Sequence, residues 1–213
     1  MSVAEPWIEK IRLLVVTDPE RIGARSWPDV VRAILRGGAR AIQLRHKRAT
    51  ARELADLADA LRAVTREFQA LLFVNDRADV ALACGADGVH LGADDVPVAH
   101  VRAYAPRDFL IGASADTVQA ARAAEADGAD YLGVGSIFGT ATKPDAAGER
   151  IGLEQLSEVA RAVTIPVVGI GGVTADNAAS VVRAGAAGVA VVRAVMAASD
   201  PEQATRALLA ALR

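Results

Sequence analysis

The stretch from Gly128 to Asp145, GADYLGVGSIFGTATKPD, contains in order the end of a helix, a short buried strand and a polar loop. Tyr131–Gly135 forms the apolar run, and the segment from Gly133 onward adds glycines, three hydroxyl side chains and Lys143. Glycine-rich backbone, hydroxyl groups and a lysine together can bind phosphate oxygens at the end of a strand. The loop is therefore a candidate phosphate site, and an ordinary strand-to-helix connection is the alternative.

The Gly-Ala pair that opens this stretch recurs along the chain. It precedes a strand-like run each time, at Gly38-Ala39, Gly85-Ala86, Gly128-Ala129 and Gly185-Ala186. A glycine in left-handed conformation commonly ends a helix, and the small alanine lets the chain turn back into a sheet. The repeat indicates strands that alternate regularly with helices.

Eight apolar runs are candidate strands, separated by segments with helical spacing. The strands are Arg12–Thr17, Ala41–Arg45, Leu71–Asn75, Gly88–Leu91, Leu110–Gly112, Tyr131–Gly135, Pro166–Ile170 and Gly188–Val192. Predicted helices include Pro28–Arg36, Ala51–Glu67, Thr117–Ala126, Glu154–Ala162, Ala175–Arg183 and Glu202–Leu212.

The candidate strands are continuously apolar, which is typical of parallel strands that are buried on both faces. Eight units of roughly 27 residues each suit a (βα)8 TIM barrel of the α/β class. We expect a single domain over residues 1–213. A doubly wound open sheet is the alternative, and the absence of a dinucleotide-binding fingerprint favours the barrel.

The composition excludes several classes of protein. The chain of 213 residues has a formal net charge of −2 and only 4% aromatic residues, which argues against nucleic acid or an acidic membrane surface as partners. One cysteine excludes an internal disulfide framework and a cysteine-based zinc site. No apolar run is long enough for a membrane span, and the first residues lack the apolar core of a signal peptide. We expect a cytoplasmic protein.

Unusual polar residues stand where the predicted strands end, the place where barrels of this kind carry their chemistry. In the second strand Gln43, Arg45 and Lys47 alternate with Leu44 and His46. Alternation puts Leu44 and His46 against the helices and the other three side chains in the mouth of the barrel. One amide and two cations in that position predict a site for a polyanion.

Asp76 and Asp95 follow the third and fourth strands, which are neighbours in a barrel. Two carboxylates near cations and a polyphosphate suit Mg²⁺, which takes one or two protein carboxylates and completes its shell with phosphate and water. Capping of the next helix is the alternative role of Asp76.

Backbone groups after the last two strands form a second candidate phosphate site. Gly171-Gly172 and the turn after Val192 occupy the positions where such barrels often bind phosphate through N–H groups. The histidines give no metal site: His100 is predicted on a surface helix, and His90, inside a strand, is interpreted as a core residue.

The motifs together resemble the thiamine-phosphate synthase family. The resemblance covers about Leu14 to Val195 and depends on QLRHK, FVNDRADVALACGADGVHLGADD, IGASADT, DGADYLGVGSIFGTATKPDA, PVVGIGGV and GVAVV in this order. It implies a transferase that couples hydroxymethylpyrimidine pyrophosphate with a thiazole phosphate, carboxylated or not, and releases pyrophosphate.

The resemblance also implies residue roles. Mg²⁺ would be bound by Asp76 and Asp95, and the catalytic residues would be Arg45, Lys47, Ser114 and Lys143. The pyrimidine pyrophosphate would be bound by Gln43, Arg45, Lys47, Asn75, Ser114 and Lys143. The thiazole phosphate would be bound by Thr140, Thr142, Gly172 and the backbone at Val192 and Arg193.

One departure from the family pattern leaves alternatives open. Arg193 stands where a small serine is usual, so it could add a charge to the phosphate site or block it. A thiazole tautomerase-like relative and a catalytically silent barrel that binds thiamine phosphates are the competing interpretations. The retained Asp76, Asp95 and Lys143 favour the synthase. The sequence does not determine the oligomeric state, and a homo-oligomer is one of the states that it allows.

Overall fold

The computed structural model describes residues 6–139 and 150–213. Its eight strands form one closed parallel barrel in chain order, which confirms the predicted (βα)8 fold. The strands are Leu13–Val16 (β1), Ala41–Leu44 (β2), Leu71–Asn75 (β3), Gly88–Leu91 (β4), Leu110–Ser114 (β5), Tyr131–Val134 (β6), Val167–Ile170 (β7) and Gly188–Val191 (β8).

Helices connect these strands over the outside of the barrel. In the described residues they are Pro6–Lys10 (α1), Pro19–Ile22 (α2), Trp27–Arg36 (α3), Ala51–Glu67 (α4), Ala78–Ala83 (α5), Val98–Tyr104 (α6), Val118–Ala126 (α7), Gly152–Ala162 (α8), Ala178–Arg183 (α9), Arg193–Met196 (α10) and Pro201–Ala211 (α11). None of them combines the length and the apolar character that crossing a membrane requires. Helices α2 and α5 have four and six residues, too few to show an apolar period in the sequence.

Two apolar layers lie on opposite sides of the strands. Alternate residues such as Leu44 and Val74 pack outward against the helices. The intervening positions, such as Leu14, Phe73 and Tyr131, form a smaller cluster inside the barrel. Strand register aligns the inward positions with one another, for example Val16 with Gln43 and Asn75 with His90. Every second residue near a strand end is therefore directed into the barrel mouth.

The Gly-Ala repeat has the predicted conformation. Gly38, Gly85, Gly128 and Gly185 have φ of 109°, 60°, 96° and 109°, a range that favours glycine. Each one turns the chain from a helix into an even-numbered strand.

A carboxylate follows this turn before β4 and again before β6. The Asp87 carboxylate accepts hydrogen bonds from the Leu72 backbone N–H (2.7 Å) and from both terminal nitrogens of Arg62 (2.7 and 3.1 Å). Asp130 repeats the arrangement with the Ile111 N–H (2.7 Å) and Arg102. Each aspartate thus joins the start of its strand to the preceding strand and to the helix before that strand, at the end of the barrel opposite the mouth.

Replacing Asp87 with alanine is expected to lower the free energy of unfolding by about 2 kcal/mol, because the Leu72 N–H and the partly buried Arg62 lose their acceptor. Urea denaturation measures the loss. The exposed pair of Asp29 and Arg32 (3.5 Å) provides the control, since Asp29→Ala should cost below about 1 kcal/mol. Equal losses in the two variants would contradict a structural role for Asp87.

Candidate active site

A cavity of about 610 Å³ opens at the carboxyl ends of the strands. Residues from the ends of all eight strands line it, from Val16 at the end of β1 to Val192 after β8. Its size is in the usual range for sites that bind small molecules. The mouth of the barrel is therefore the candidate active site.

The end of β2 directs three polar side chains into this cavity. Gln43, Arg45 and Lys47 all line it, with Gln43 buried and Lys47 exposed. The fully buried Thr17, just after β1, fixes the Arg45 backbone: its Oγ1 accepts from the Arg45 N–H (2.9 Å) and donates to the Arg45 carbonyl (3.3 Å). The two cations thus stand on a backbone that is held from the neighbouring strand.

His46 takes the opposite side of the chain, as the alternation predicts. Its ring stacks on Trp27 at the start of α3, with ring centroids 6.0 Å apart. The residue does not line the cavity.

Asp76 and Asp95 approach each other at the edge of the cavity. Lys47 Nζ lies 2.5 Å from Asp76 Oδ2, and Asp95 accepts a hydrogen bond from the Gly92 N–H (2.6 Å). Burial raises the pKa of the Asp95 carboxyl, and its hydrogen bond with Asp76 raises it further. Two carboxyl groups in contact require a shared proton or a cation between them.

Asp76 does not cap the following helix. The N-cap of α5 is Arg77, and its side chain makes no capping hydrogen bond. Asp76 instead has φ of 65°, and its N–H donates to the His90 carbonyl (2.8 Å). This left-handed conformation directs the carboxylate to Lys47 and Asp95, which leaves it available as a ligand.

The two carboxylates fit a magnesium ion that would take its other ligands from substrate and water. Across the described residues, no group of three or more His, Cys, Asp or Glu side chains could hold a metal. A protein-only metal cage is therefore not present in that part of the chain. Two carboxylates facing a cavity agree with the preference of Mg²⁺ for few protein ligands plus phosphate oxygens and water.

Three further polar side chains form a chain between β4, β5 and β6. His90 Nδ1 lies 3.1 Å from the Tyr131 hydroxyl, and His90 Nε2 lies 3.1 Å from Ser114 Oγ. All three line the cavity. His90 lies inside β4, as the sequence indicates, both of its ring nitrogens have polar neighbours, and its ring borders the cavity.

The loops after β6 and β7 interlock on the opposite side of the cavity. The Phe138 N–H donates to the Gly171 carbonyl (3.0 Å), and the Ile137 N–H donates to the Ile170 carbonyl (2.9 Å). Gly171 has φ of 97°, and a Cβ there would lie 2.3 Å from Ser136 Oγ. Only glycine fits this contact, which brings the backbone of both loops to the cavity.

Gly172 and the start of α10 complete this side. Gly172, with φ of 68°, lines the cavity together with Val192 and Arg193. Val192 is the N-cap of α10, and Arg193 is the first residue of this helix. The Arg193 side chain is exposed, and within the described residues its guanidinium forms no hydrogen bond or ion pair. Arg193 therefore stands at the rim as a cation and does not fill the site.

Asn75 and Ser114 also line the cavity, at the ends of β3 and β5. The structure thus brings together Gln43, Arg45, Lys47, Asn75, Asp76, Ser114, Gly172, Val192 and Arg193, with Asp95 in contact with Asp76. Three predicted residues, Thr140, Thr142 and Lys143, lie outside the described residues.

Three further residues belong to this region although the sequence does not mark them as site residues: Tyr131, Thr17 and Asp116. Tyr131 reads as one apolar residue of a strand, yet its hydroxyl reaches His90. Asp116 lines the cavity and accepts from the Gly135 N–H (3.0 Å). No sequence signal marks the Tyr131 hydroxyl: only in the fold do Gly112 on β5 and Gly133 on β6 leave room for the rings of Tyr131 and His90.

The chain is similar to known proteins of one family. The family model described as thiamine monophosphate synthase matches residues 13–195. A thiamine-phosphate synthase of Roseiflexus castenholzii is 56% identical over 194 residues, which are 91% of this chain and 85% of that protein.

A solved structure has the same fold. The thiamine phosphate pyrophosphorylase of Pyrococcus furiosus superposes with a TM-score of 0.88 at 46% identity, covering 96% of each chain. The cavity at the mouth of this barrel gathers the polar residues expected from the sequence. The family model and the two similar proteins show that the chain belongs to the thiamine-phosphate synthase family, whose members are transferases of thiamine biosynthesis.

Proposed function

We propose that the cavity couples 4-amino-2-methyl-5-hydroxymethylpyrimidine pyrophosphate with a thiazole phosphate, giving thiamine phosphate and pyrophosphate. The observation that carries the proposal is that two groups of residues suited to phosphate lie on different sides of one cavity. Arg45, Lys47 and the carboxylate pair lie on one side, and Gly172 with the start of α10 lies on the other. Such a site can hold two phosphorylated molecules at once.

The pyrimidine pyrophosphate is assigned to the side of β2 to β5. The cations Arg45 and Lys47 bind its phosphate oxygens, while Gln43, Asn75 and Ser114 contact the ring. Asp76 and Asp95 would hold Mg²⁺, which supplies further positive charge to the departing pyrophosphate. In the free protein Lys47 pairs with Asp76, so the binding of a metal and a polyphosphate would redirect its ammonium group toward phosphate.

The thiazole phosphate is assigned to the side of β7 and β8. Backbone N–H groups near Gly172 and the first turn of α10 are suited to its phosphate, and the exposed Arg193 adds a positive charge at the rim.

The reaction is a dissociative displacement. The bond between the pyrimidine methylene carbon and the pyrophosphate oxygen breaks first, and the oxygen keeps the electron pair. The thiazole nitrogen then donates its lone pair to the methylene cation, so no proton has to move. Arg45 and Lys47 stabilise the negative charge that develops on the leaving group. Holding the two molecules in line contributes further, since oriented reactants gain up to about 7–11 kcal/mol.

The test is to incubate the full-length protein with both phosphorylated substrates and Mg²⁺ and to assay thiamine phosphate and pyrophosphate. We expect equal amounts of the two products, with loss of turnover in EDTA and recovery on adding excess Mg²⁺. No product from a folded protein that still binds thiazole phosphate would overturn the synthase and favour the tautomerase-like or the silent barrel. Undiminished turnover in EDTA would overturn the magnesium assignment.

A further inference from the structure

A chain of four polar side chains crosses the floor of the cavity. Tyr131 bridges Gln43 and His90: its hydroxyl is hydrogen-bonded to the Gln43 side chain and lies 3.1 Å from His90 Nδ1. The other ring nitrogen of His90, Nε2, lies 3.1 Å from Ser114 Oγ. Gln43 and Ser114, two groups assigned above to the pyrimidine, are thus joined through two residues that have no assigned role.

The barrel is built to accommodate this chain. A Cβ on Gly112 would lie 2.2–2.5 Å from atoms of the Tyr131 ring, and a Cβ on Gly133 would lie 2.9 Å from His90 Cε1. The Tyr131 ring is completely buried and packs edge-on against Phe73, with centroids 5.3 Å apart. Both rings are therefore fixed by their surroundings, and their polar atoms have few alternative orientations.

A hydrogen-bond chain of this kind has two consistent directions. In the first, the Gln43 amide donates to Tyr131, Tyr131 donates to His90 Nδ1, and the Nε2–H of His90 donates to Ser114. The Ser114 hydroxyl then directs its own proton into the cavity. In the reverse direction, the Ser114 hydroxyl donates its proton to His90 Nε2 and can only accept hydrogen bonds from a ligand.

The chemistry of the ligand favours the first direction. The ring nitrogens and phosphate oxygens of a phosphorylated aminopyrimidine are hydrogen-bond acceptors, so a donor from Ser114 suits them. Burial raises the pKa of the Tyr131 hydroxyl above its ordinary value, so Tyr131 keeps its proton and remains a donor. In this direction Gln43 also presents its carbonyl oxygen to the cavity, where it suits an exocyclic amine.

We propose that Tyr131 and His90 are positioning residues: Tyr131 holds a neutral His90 in its Nε2–H tautomer, and His90 thereby orients the Ser114 hydroxyl as a donor to the pyrimidine substrate. The inference rests on the proposed function, because it names how that site recognises one substrate. Neither residue is assigned a contact with the reacting atoms.

The first test is a double-mutant cycle in the full-length protein. Tyr131→Phe removes one hydroxyl and should lower kcat/KM for the pyrimidine pyrophosphate about 10- to 100-fold, by analogy with the loss of a partner that orients a metal-binding side chain. The KM for the thiazole phosphate should stay unchanged. In a Ser114→Ala background, Tyr131→Phe should cost about twofold or less, because its effect passes through Ser114. An equal cost in both backgrounds overturns the proposal.

A matched variant separates positioning from loss of stability. Thr205 in α11 is a buried residue whose hydroxyl donates to the Pro201 carbonyl (2.7 Å) and does not line the cavity. Thr205→Val should lower the melting temperature about as much as Tyr131→Phe and leave the kinetics unchanged. A kinetic loss in Thr205→Val as large as that in Tyr131→Phe would assign the effect to stability and overturn the positioning role.

The second test needs no turnover. The chain has three histidines, so ¹⁵N spectra can report the tautomer of each ring, and the signals that disappear in His90→Gln identify His90. We expect a single Nε2–H tautomer in the wild type and a mixture in Tyr131→Phe. An Nδ1–H or doubly protonated ring in the wild type overturns the proposed direction. Failure of the synthase assay with the expected spectra would reject the reaction while retaining the orientation of Ser114.

Discussion

Replacing Asp76 with asparagine is expected to lower kcat/KM of the synthase reaction about 100- to 1000-fold with little change in stability. The carboxylate is the cavity-lining member of the pair with Asp95, and Lys47 lies 2.5 Å from it. Losing one electrostatic group aimed at a developing charge costs about this much in other active sites. Asparagine keeps the shape of the side chain and tolerates the left-handed backbone of Asp76, with φ of 65°. Alanine would add a backbone penalty that has nothing to do with the metal.

The measurement is the Mg²⁺ dependence of turnover in the wild type and the variant. The Mg²⁺ concentration for half-maximal activity should rise strongly in Asp76→Asn, because one of two protein ligands is neutral. Asp79→Asn is the control: Asp79 is three residues away, exposed, paired with Arg77 at 2.5 Å and absent from the cavity. It should behave as the wild type. Normal turnover and normal Mg²⁺ dependence in Asp76→Asn would remove Asp76 from the metal site.

The barrel could be predicted because its signals are local and repeated. Each even-numbered strand follows a Gly-Ala turn, and the observed φ values at Gly38 and Gly185 are both 109°. Strand parity then gave the direction of Gln43 and Arg45 without any knowledge of contacts, since the side-chain period of a strand is two. The stacking of His46 on Trp27 follows from the same parity.

The interior polar chain could not be predicted, because it depends on which strands meet across the barrel. His90 and Tyr131 are 41 residues apart, and only the folded barrel places His90 Nδ1 3.1 Å from the Tyr131 hydroxyl. Periodicity assigns Tyr131 to an apolar run and carries no information about its hydroxyl. The function of Asp76 was ambiguous for a similar reason: a residue before a helix reads as a cap until its backbone conformation is known.

Replacing Gly171 with alanine should lower kcat/KM for the thiazole phosphate about 100-fold and leave the KM for the pyrimidine pyrophosphate nearly unchanged. A Cβ at this position would lie 2.3 Å from Ser136 Oγ and 2.6 Å from Ser136 Cα, so the loops after β6 and β7 must move apart. Displacement by about 1 Å of a group that orients substrate can cost about 100-fold in rate. The strained φ of 97° adds a stability loss of about 1–3 kcal/mol.

The variant Gly85→Ala is the control that separates the effect of backbone strain in Gly171→Ala from the effect of its steric clash. Gly85 also has positive φ, 60°, but the nearest atom to a new Cβ is the flexible end of Arg66 at 3.8 Å. It lies before β4, at the end of the barrel away from the cavity. Gly85→Ala should lose about 1–2 kcal/mol of stability and keep wild-type kinetics for both substrates.

If Gly171→Ala lost activity equally toward both substrates, or if Gly85→Ala shared its defect, the thiazole phosphate could not be assigned to the β7 side. A loss confined to the thiazole phosphate would place the two phosphorylated molecules on opposite sides of the barrel mouth, because the loop that moves is far from Arg45 and Lys47 along the ring of strands.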